Sequence, residues 1–134
     1  MCVCELREVT AQDVDFLYGI LQARIDEPHT NISHRAMPSF EEHVAFVASR
    51  PYLVWYVIRY GDRDAGAAYI SRAREVGIYV LAPYRGKGIA KSALQSLISL
   101  HPGPLLANIA PGNTASQAFF SRFGFDLVQY TYRR

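Results

Sequence analysis

The chain has 134 residues, half of them hydrophobic, and a formal net charge of +2. That length and apolar content support one domain, residues 1–134, with its own core, and so small a charge makes no case for nucleic acid. No run of about 18 apolar residues marks a membrane span, the N-terminus lacks a signal peptide's apolar stretch, and Cys2 and Cys4 have no other cysteines to pair with, as expected for free thiols in a reducing, cytoplasmic compartment.

Residues 3–9 read as a first strand. Thr10 to Asp13 has the form of a capping box, opening a helix with Val14, Leu17, Tyr18, Leu21 and Ile25 on one face. From residue 26 to 38 the periodicity stops, in a polar loop that carries Asn31, Ser33, His34 and Arg35. Ser39 to Glu42 is a second capping box, starting a short helix with Phe40, Val44 and Val47 inward. Pro51 ends it. Strands follow at residues 52–59, 67–71 and 75–81, the first rich in aromatic and β-branched residues.

Next comes Tyr84-Arg85-Gly86-Lys87-Gly88-Ile89-Ala90-Lys91-Ser92, between a strand and a helix whose apolar face is Ile89, Ala93, Leu94, Leu97 and Ile98. The first amides of a helix have no internal partners, and its dipole puts positive charge at that end. Gly86 and Gly88 let the backbone aim N–H groups at a ligand, while Arg85, Lys87 and Lys91 add full charges. The loop is therefore expected to hold a pyrophosphate. It is not a P-loop, because Arg85 stands where the first glycine belongs; nor is it a dinucleotide fingerprint, which needs a third glycine at Lys91.

Beyond this helix, residues 105–110 read as a short buried strand. Asn113 caps a helix carrying Phe119, Phe120 and Phe123, Gly124 ends it, and residues 126–132 read as a closing strand. The order β-α-α-β-β-β-α-β-α-β implies an α/β mixed sheet with helices on both faces.

Arg85, Gly88 and Ala90 satisfy the pattern Arg/Gln-x-x-Gly-x-Gly/Ala, and the segment 105–113 is followed by Ser116, Phe120, Gly124 and Phe125. Together with the element order, these two motifs resemble the GNAT N-acetyltransferase superfamily. The resemblance implies a central sheet splayed between the strand entering the loop and the 105–110 strand, with acetyl-CoA lying in the gap. Tyr79, Val80 and Leu81 would line its pantetheine arm, and Arg85, Gly86, Lys87, Gly88, Ile89 and Ala90 would hold the pyrophosphate. Asn113 would contact the cofactor, and Ser116 and Phe120 would flank its sulfur end; Asn113 is also a natural helix cap and can serve both roles. No metal is expected.

The reaction implied is acetyl transfer to a small-molecule acceptor amine, by direct attack on the thioester. Many superfamily members place a tyrosine acid where this chain has Phe120, and a phenyl ring cannot donate a proton. Tyr130, Tyr79 and Ser116 are the other donors, or the thiolate leaves unprotonated. Glu75 leads for the base, against the alternative of an exposed strand end paired with Arg72 or Arg74; His34, His43 and an ordered water stand behind it. The acceptor wall is expected from Asn31, Ser33, His34, His43, Trp55 and Asn108, a set of amides, hydroxyls, imidazoles and flat rings that suits an amino sugar or a nucleotide-linked amino sugar. A protein N-terminus, another small amine, or acyl-CoA binding without turnover are the alternatives, in a monomer or homodimer.

Overall fold

The structure, a computed structural model, describes residues 3–27 and 36–134. Strand β1 (Glu5–Glu8) pairs antiparallel with β2 (Val54–Tyr60), β2 with β3 (Arg63–Ile70), and β3 with β4 (Glu75–Val80). Strand β5 (Leu106–Ala107) then joins β4 in parallel, giving a mixed sheet in the order β1-β2-β3-β4-β5. Hairpin connections are short enough only for antiparallel neighbours, whereas the passage from β4 to β5 needs a crossover helix. That helix is α3 (Ile89–Leu100).

Helices cover both faces. On one, α1 (Val14–Ile25) and α2 (Phe40–Ala48) bury Leu17, Ile20 and Val47 against Ala67 and Tyr79. On the other, α3 buries Ile89, Ala93, Leu94 and Leu97 against Ile58, Ile70, Val76 and Val80, and α4 (Thr114–Arg122) adds Phe119 and Phe120. Alternation along β4 sorts its side chains accordingly: Val76, Ile78 and Val80 face α3, and Tyr79 faces α1. Cys4 is buried on the α3 face, its thiol 3.7 Å from the Ile89 carbonyl.

Both expected capping boxes form. Thr10 Oγ1 accepts from the Gln12 amide at 3.2 Å and the Asp13 carboxylate accepts from the Thr10 amide at 2.8 Å; Ser39 and Glu42 exchange the same pair of bonds. A short 3-10 turn, Ala11–Asp13, precedes α1.

Besides β3, which starts at Arg63 and not at residue 67, four expectations change. Helix α2 turns His43 inward with Val47, leaving Phe40 and Val44 about two-fifths exposed. The imidazole wins this place because its Nε2 meets the Val14 carbonyl at 3.0 Å while the Tyr18 ring packs on it. On α3, Ile98 is exposed and Ser92 is buried instead, within 3.4 Å of the Cys4 amide. Strand β5 is only two residues long, since β4 and β5 diverge after the Val76–Ala107 pair. Residues 126–132 form no strand: without a ladder partner their alternating residues stay exposed, with Leu127, Val128, Tyr130 and Tyr132 all more than 70% accessible. None of the helices among the described residues is long and apolar enough to cross a membrane.

Candidate active site

The divergence of β4 from β5 opens a cleft of about 1980 Å³ that runs along β4 from Glu75 to Tyr79, with residues 105–111 and Asn113, Ser116 and Phe120 on its far wall. Strand β4 remains tied to β3 at its other edge, where the Leu81 amide donates to the Ala65 carbonyl at 2.8 Å. Its cleft-side edge beyond Val76 has no strand partner among the described residues, so backbone polar groups there are open to an extended ligand. Tyr79 and Val80 are under 10% exposed, and of the two only Tyr79 lines the cleft; the Val80 carbonyl is taken by Arg85. Leu81 is half-buried against the α1 cluster.

At the cleft's end the chain makes a 3-10 turn, Ala82–Tyr84, and enters the glycine loop. Gly86 and Gly88 have φ of +80° and +78°, a region that costs other residues about 1–2 kcal/mol each. A Cβ at either position would touch nothing within 4 Å, so conformation and not crowding demands glycine here. Gly88 caps α3 without any side-chain hydrogen bond, leaving the helix's first amides for a ligand. Ile89 is core, contributing only its backbone, Ala90 is half-buried, and Lys87 and Lys91 are exposed. These features fit a pyrophosphate. Gly88→Val should therefore give a folded protein that binds CoA at least about tenfold more weakly by calorimetry, from strain plus a branched side chain in the ligand's space. Undiminished affinity in a folded variant would take the loop out of the donor site.

Arg85 departs from its expected place. Its guanidinium folds back: Nε donates to the Val80 carbonyl at 2.9 Å and Nη2 to both oxygens of Glu27 at 2.9 and 3.0 Å. Tyr79 Oη donates to the same carboxylate at 2.7 Å, and the guanidinium carbon lies 5.3 Å from the Tyr79 ring centroid. Burial opposes the Glu27 charge, but hydrogen bonds from Arg85 and Tyr79 outweigh it and hold the carboxyl below its ordinary range. Burial, reinforced by Glu27, pushes the Tyr79 phenol up to about 12. So weak an acid, its proton already committed, is a poor donor for a departing thiolate.

On the far wall, Asn113 Oδ1 accepts from the Ser116 amide at 3.1 Å, so the helix-cap role is real. Phe120 packs against Phe119 and Phe125, with ring centroids 5.2 and 5.1 Å away. Ser116 is half-buried and, with Ser121, is one of two α4 hydroxyls that line the cleft.

Glu75 sits where β4 and β5 are still paired, at the root of the divergence. Asn108 Nδ2 donates to its Oε2 at 2.6 Å and Ser71 Oγ to its Oε1 at 3.3 Å. Neither Arg72 nor Arg74 takes it: Arg72 donates to the Arg50 carbonyl, and Arg74 to the carbonyls of His101, Pro102 and Pro104. Two residues on, Gly77 lies directly under the Tyr69 ring, which would collide with any Cβ there. Tyr69 stacks on Tyr52 at 4.0 Å, and Trp55 meets Tyr52 edge-on at 4.8 Å with Phe46 beyond it. Burial, with Tyr69 adding to it, pushes the Tyr52 phenol up to about 12, so it stays neutral. Arg24 also lines this part of the cleft, 6.0 Å from the Tyr79 ring centroid, with no ion-pair partner among the described residues.

The structure thus joins Glu75 to Asn108 and places Trp55 in an aromatic wall. It turns Tyr56 to the opposite face, where its hydroxyl meets His101 Nε2 at 2.7 Å. His43 borders the cleft but is 2% exposed, and it fastens α2 to α1. Tyr130 lies on the unpaired tail at the cleft's rim, 75% exposed, rather than on a closing strand. Asn31, Ser33 and His34 lie outside the described residues. The sequence did not point to Tyr69, to Arg24 or to the contact of Glu27 with Arg85 and Tyr79; the alternation Tyr69–Ser71 toward the face of Glu75 was the one available signal for the first.

An open mixed sheet that parts over a glycine loop at a helix N-terminus defines a protein that works on an extended, phosphate-bearing donor. The acetyltransferase (GNAT) family pattern matches residues 17–125, and the chain belongs to that family: it is an acetyl-CoA-dependent acyltransferase. It is 24% identical over 124 residues to the peptidyl-lysine N-acetyltransferase YjaB of Salmonella typhimurium, covering 92% of this chain and 83% of that protein. Among solved structures, the microcin C7 self-immunity acetyltransferase MccE in complex with acetyl-CoA and AMP superposes with a TM-score of 0.69 at 21% identity, over 91% of this chain and 78% of that one. The yncA protein of Salmonella typhimurium with its cofactor acetyl-CoA gives 0.75 at 20% identity, over 91% and 79%.

Proposed function

We propose that this enzyme transfers the acetyl group of acetyl-CoA to the amine of a small ring-bearing acceptor, an amino sugar or nucleotide-linked amino sugar, by direct attack in a ternary complex. The observation that carries the reading is the wall of Tyr52, Tyr69 and Trp55 standing over Gly77, two residues from Glu75 on one face of β4. Rigid aromatic faces hold a flat or chair-shaped ring at low entropic cost. Arg24, at the same wall, supplies the charge that a phosphate on the acceptor calls for. The AMP bound beside acetyl-CoA in the microcin self-immunity enzyme supports an acceptor of that chemistry.

In this mechanism the donor supplies an activated acyl carbon. The glycine loop and α3 bind its pyrophosphate, with Lys87 and Lys91 adding charge. Glu75, its carboxylate fixed by Asn108 and Ser71, takes the proton from the attacking amine. Ser116 is the hydroxyl available near the sulfur end; a CoA thiolate also leaves without help near neutral pH. The buried thiol of Cys4 suits a reducing compartment such as the cytoplasm.

A peptide lysine is the second reading, favoured by the curated relative and its activity on peptidyl-lysine. A thiol-release assay with acetyl-CoA decides between them, using amino-sugar nucleotides, simple amines and lysine peptides as acceptors. Release that depends on amino-sugar nucleotides is expected. Release with lysine peptides alone would replace the first reading by the second.

A further inference from the structure

Glu27 stands just beyond the end of α1, and its carboxylate is bound by two residues of the donor side. Tyr79 belongs to the strand that borders the cleft, and Arg85 opens the glycine loop. Arg85 is held three ways: at Nε by the Val80 carbonyl, at Nη2 by both Glu27 oxygens, and flat-on by the Tyr79 ring. The loop is anchored before Arg85 by the 3-10 turn with Tyr84 packed on the core, and after Gly88 by buried Ile89, but the stretch between them has no packing of its own. Its two glycines have positive φ and no neighbour within Cβ reach, and α3 begins without a side-chain cap.

We propose that Glu27 is a positioning residue for the donor, acting through Arg85 to hold the entry of the glycine loop in the shape that presents its amides to the pyrophosphate. The inference rests on the reading of that loop as the acetyl-CoA site. The physical argument is preorganisation. A loop without side-chain packing pays its ordering entropy when the ligand arrives, unless something orders it beforehand. Here one ion pair, reinforced by a phenol, fixes the far end of the 3-10 turn by which the chain leaves β4. Arg85 is thereby neutralised, so Lys87, Lys91 and the helix N-terminus are the positive groups left to meet the phosphates. Because Glu27 continues directly from α1, the same contact ties the acceptor-side helix to the donor loop.

The rival arrangement has the opposite sign. If Arg85 were the phosphate ligand and Glu27 its competitor, removing the carboxylate would release Arg85 and tighten donor binding. Calorimetric titration with CoA separates the two, using wild type, Glu27→Ala, Glu27→Gln, Arg85→Ala and the Glu27→Ala/Arg85→Ala double variant. Both Glu27→Ala and Arg85→Ala should weaken CoA by about fivefold, a modest loss because the pair is partly exposed. The double variant should bind no more weakly than the worse single one, since both changes break one device. Glu27→Gln keeps an acceptor without the charge and should fall between wild type and alanine. In turnover assays the loss should appear in KM for acetyl-CoA more than in kcat, a split that a merely structural role would not produce. Equal or tighter CoA binding by a folded Glu27→Ala or Glu27→Gln protein overturns the proposal, as do additive losses in the double variant. A wild type that binds no CoA overturns the donor assignment itself, a result distinct from a wild type that binds and variants that match it.

Discussion

Replacing Gly66 by alanine should destabilise the protein by about 3 kcal/mol, at the upper end of what overpacking costs. Gly66 pairs with Val80 across β3 and β4, and an added Cβ would fall deep inside the van der Waals radius of the Tyr79 carbonyl oxygen. That obstacle is backbone in the middle of a sheet, so no side-chain rotation relieves it. Either β4 moves away from β3 or the ladder breaks locally, and both displace Val80, whose carbonyl holds Arg85 at the loop entry. A melting temperature lower by about 10 °C is expected for a chain of this size, together with weaker CoA binding in the folded fraction. Gly77→Ala makes the instructive comparison, because its Cβ would strike the Tyr69 ring instead. A ring can swing, at the expense of its stack on Tyr52, so that variant should lose acceptor binding more than stability. A Gly66→Ala protein within about 0.5 kcal/mol of wild type, the range of neutral surface changes, would show that the β3–β4 spacing adapts freely.

The caps and the turn of the glycine loop were legible in the chain because their signals are local. A capping box spans four residues, the positive-φ glycines and the helix start lie within one loop, and a strand's facing pattern repeats every second residue. Thr10, Ser39, Asn113, Gly86 and Gly88 all act as their neighbours imply. What escaped depends on partners far along the chain. Phe40 and Val44 have the spacing of an inward face, yet His43 takes that place because the Val14 carbonyl, 29 residues earlier, waits for its ring nitrogen. The segment 126–132 has the composition of a strand, but a strand exists only with a partner, and β5 ends after two residues. Glu27 reaches across 52 residues to Tyr79 and 58 to Arg85, so no window of sequence contains that contact. The same distance applies to Arg85: the loop motif marks its position, while its side chain turns to a carboxylate from another element.

Glu75→Gln should lower kcat by about 10²- to 10⁴-fold, the usual worth of a positioned general base, while CoA affinity stays near that of the wild type. The substitution is isosteric and its surroundings can accept it. The glutamine carbonyl can take the Asn108 Nδ2 hydrogen bond, now 2.6 Å long to Oε2, and its NH2 can turn to the Ser71 hydroxyl, which accepts as well as donates. Because the contacts survive, a large loss would be chemical rather than structural. Asn108→Ala should cost less, since it removes the group that aims the carboxylate and leaves the base in place. The position also argues for the role. Glu75 is held where β4 and β5 are still paired, so its backbone is fixed, while the cleft that would hold the reacting groups opens within two residues of it. Rigid backbone next to an opening is where a base can be both precise in place and reachable. If Glu75→Gln keeps kcat within about threefold of wild type, proton removal belongs to solvent water, and the Glu75–Asn108 contact then serves to pin β5 to β4 at the mouth of the cleft.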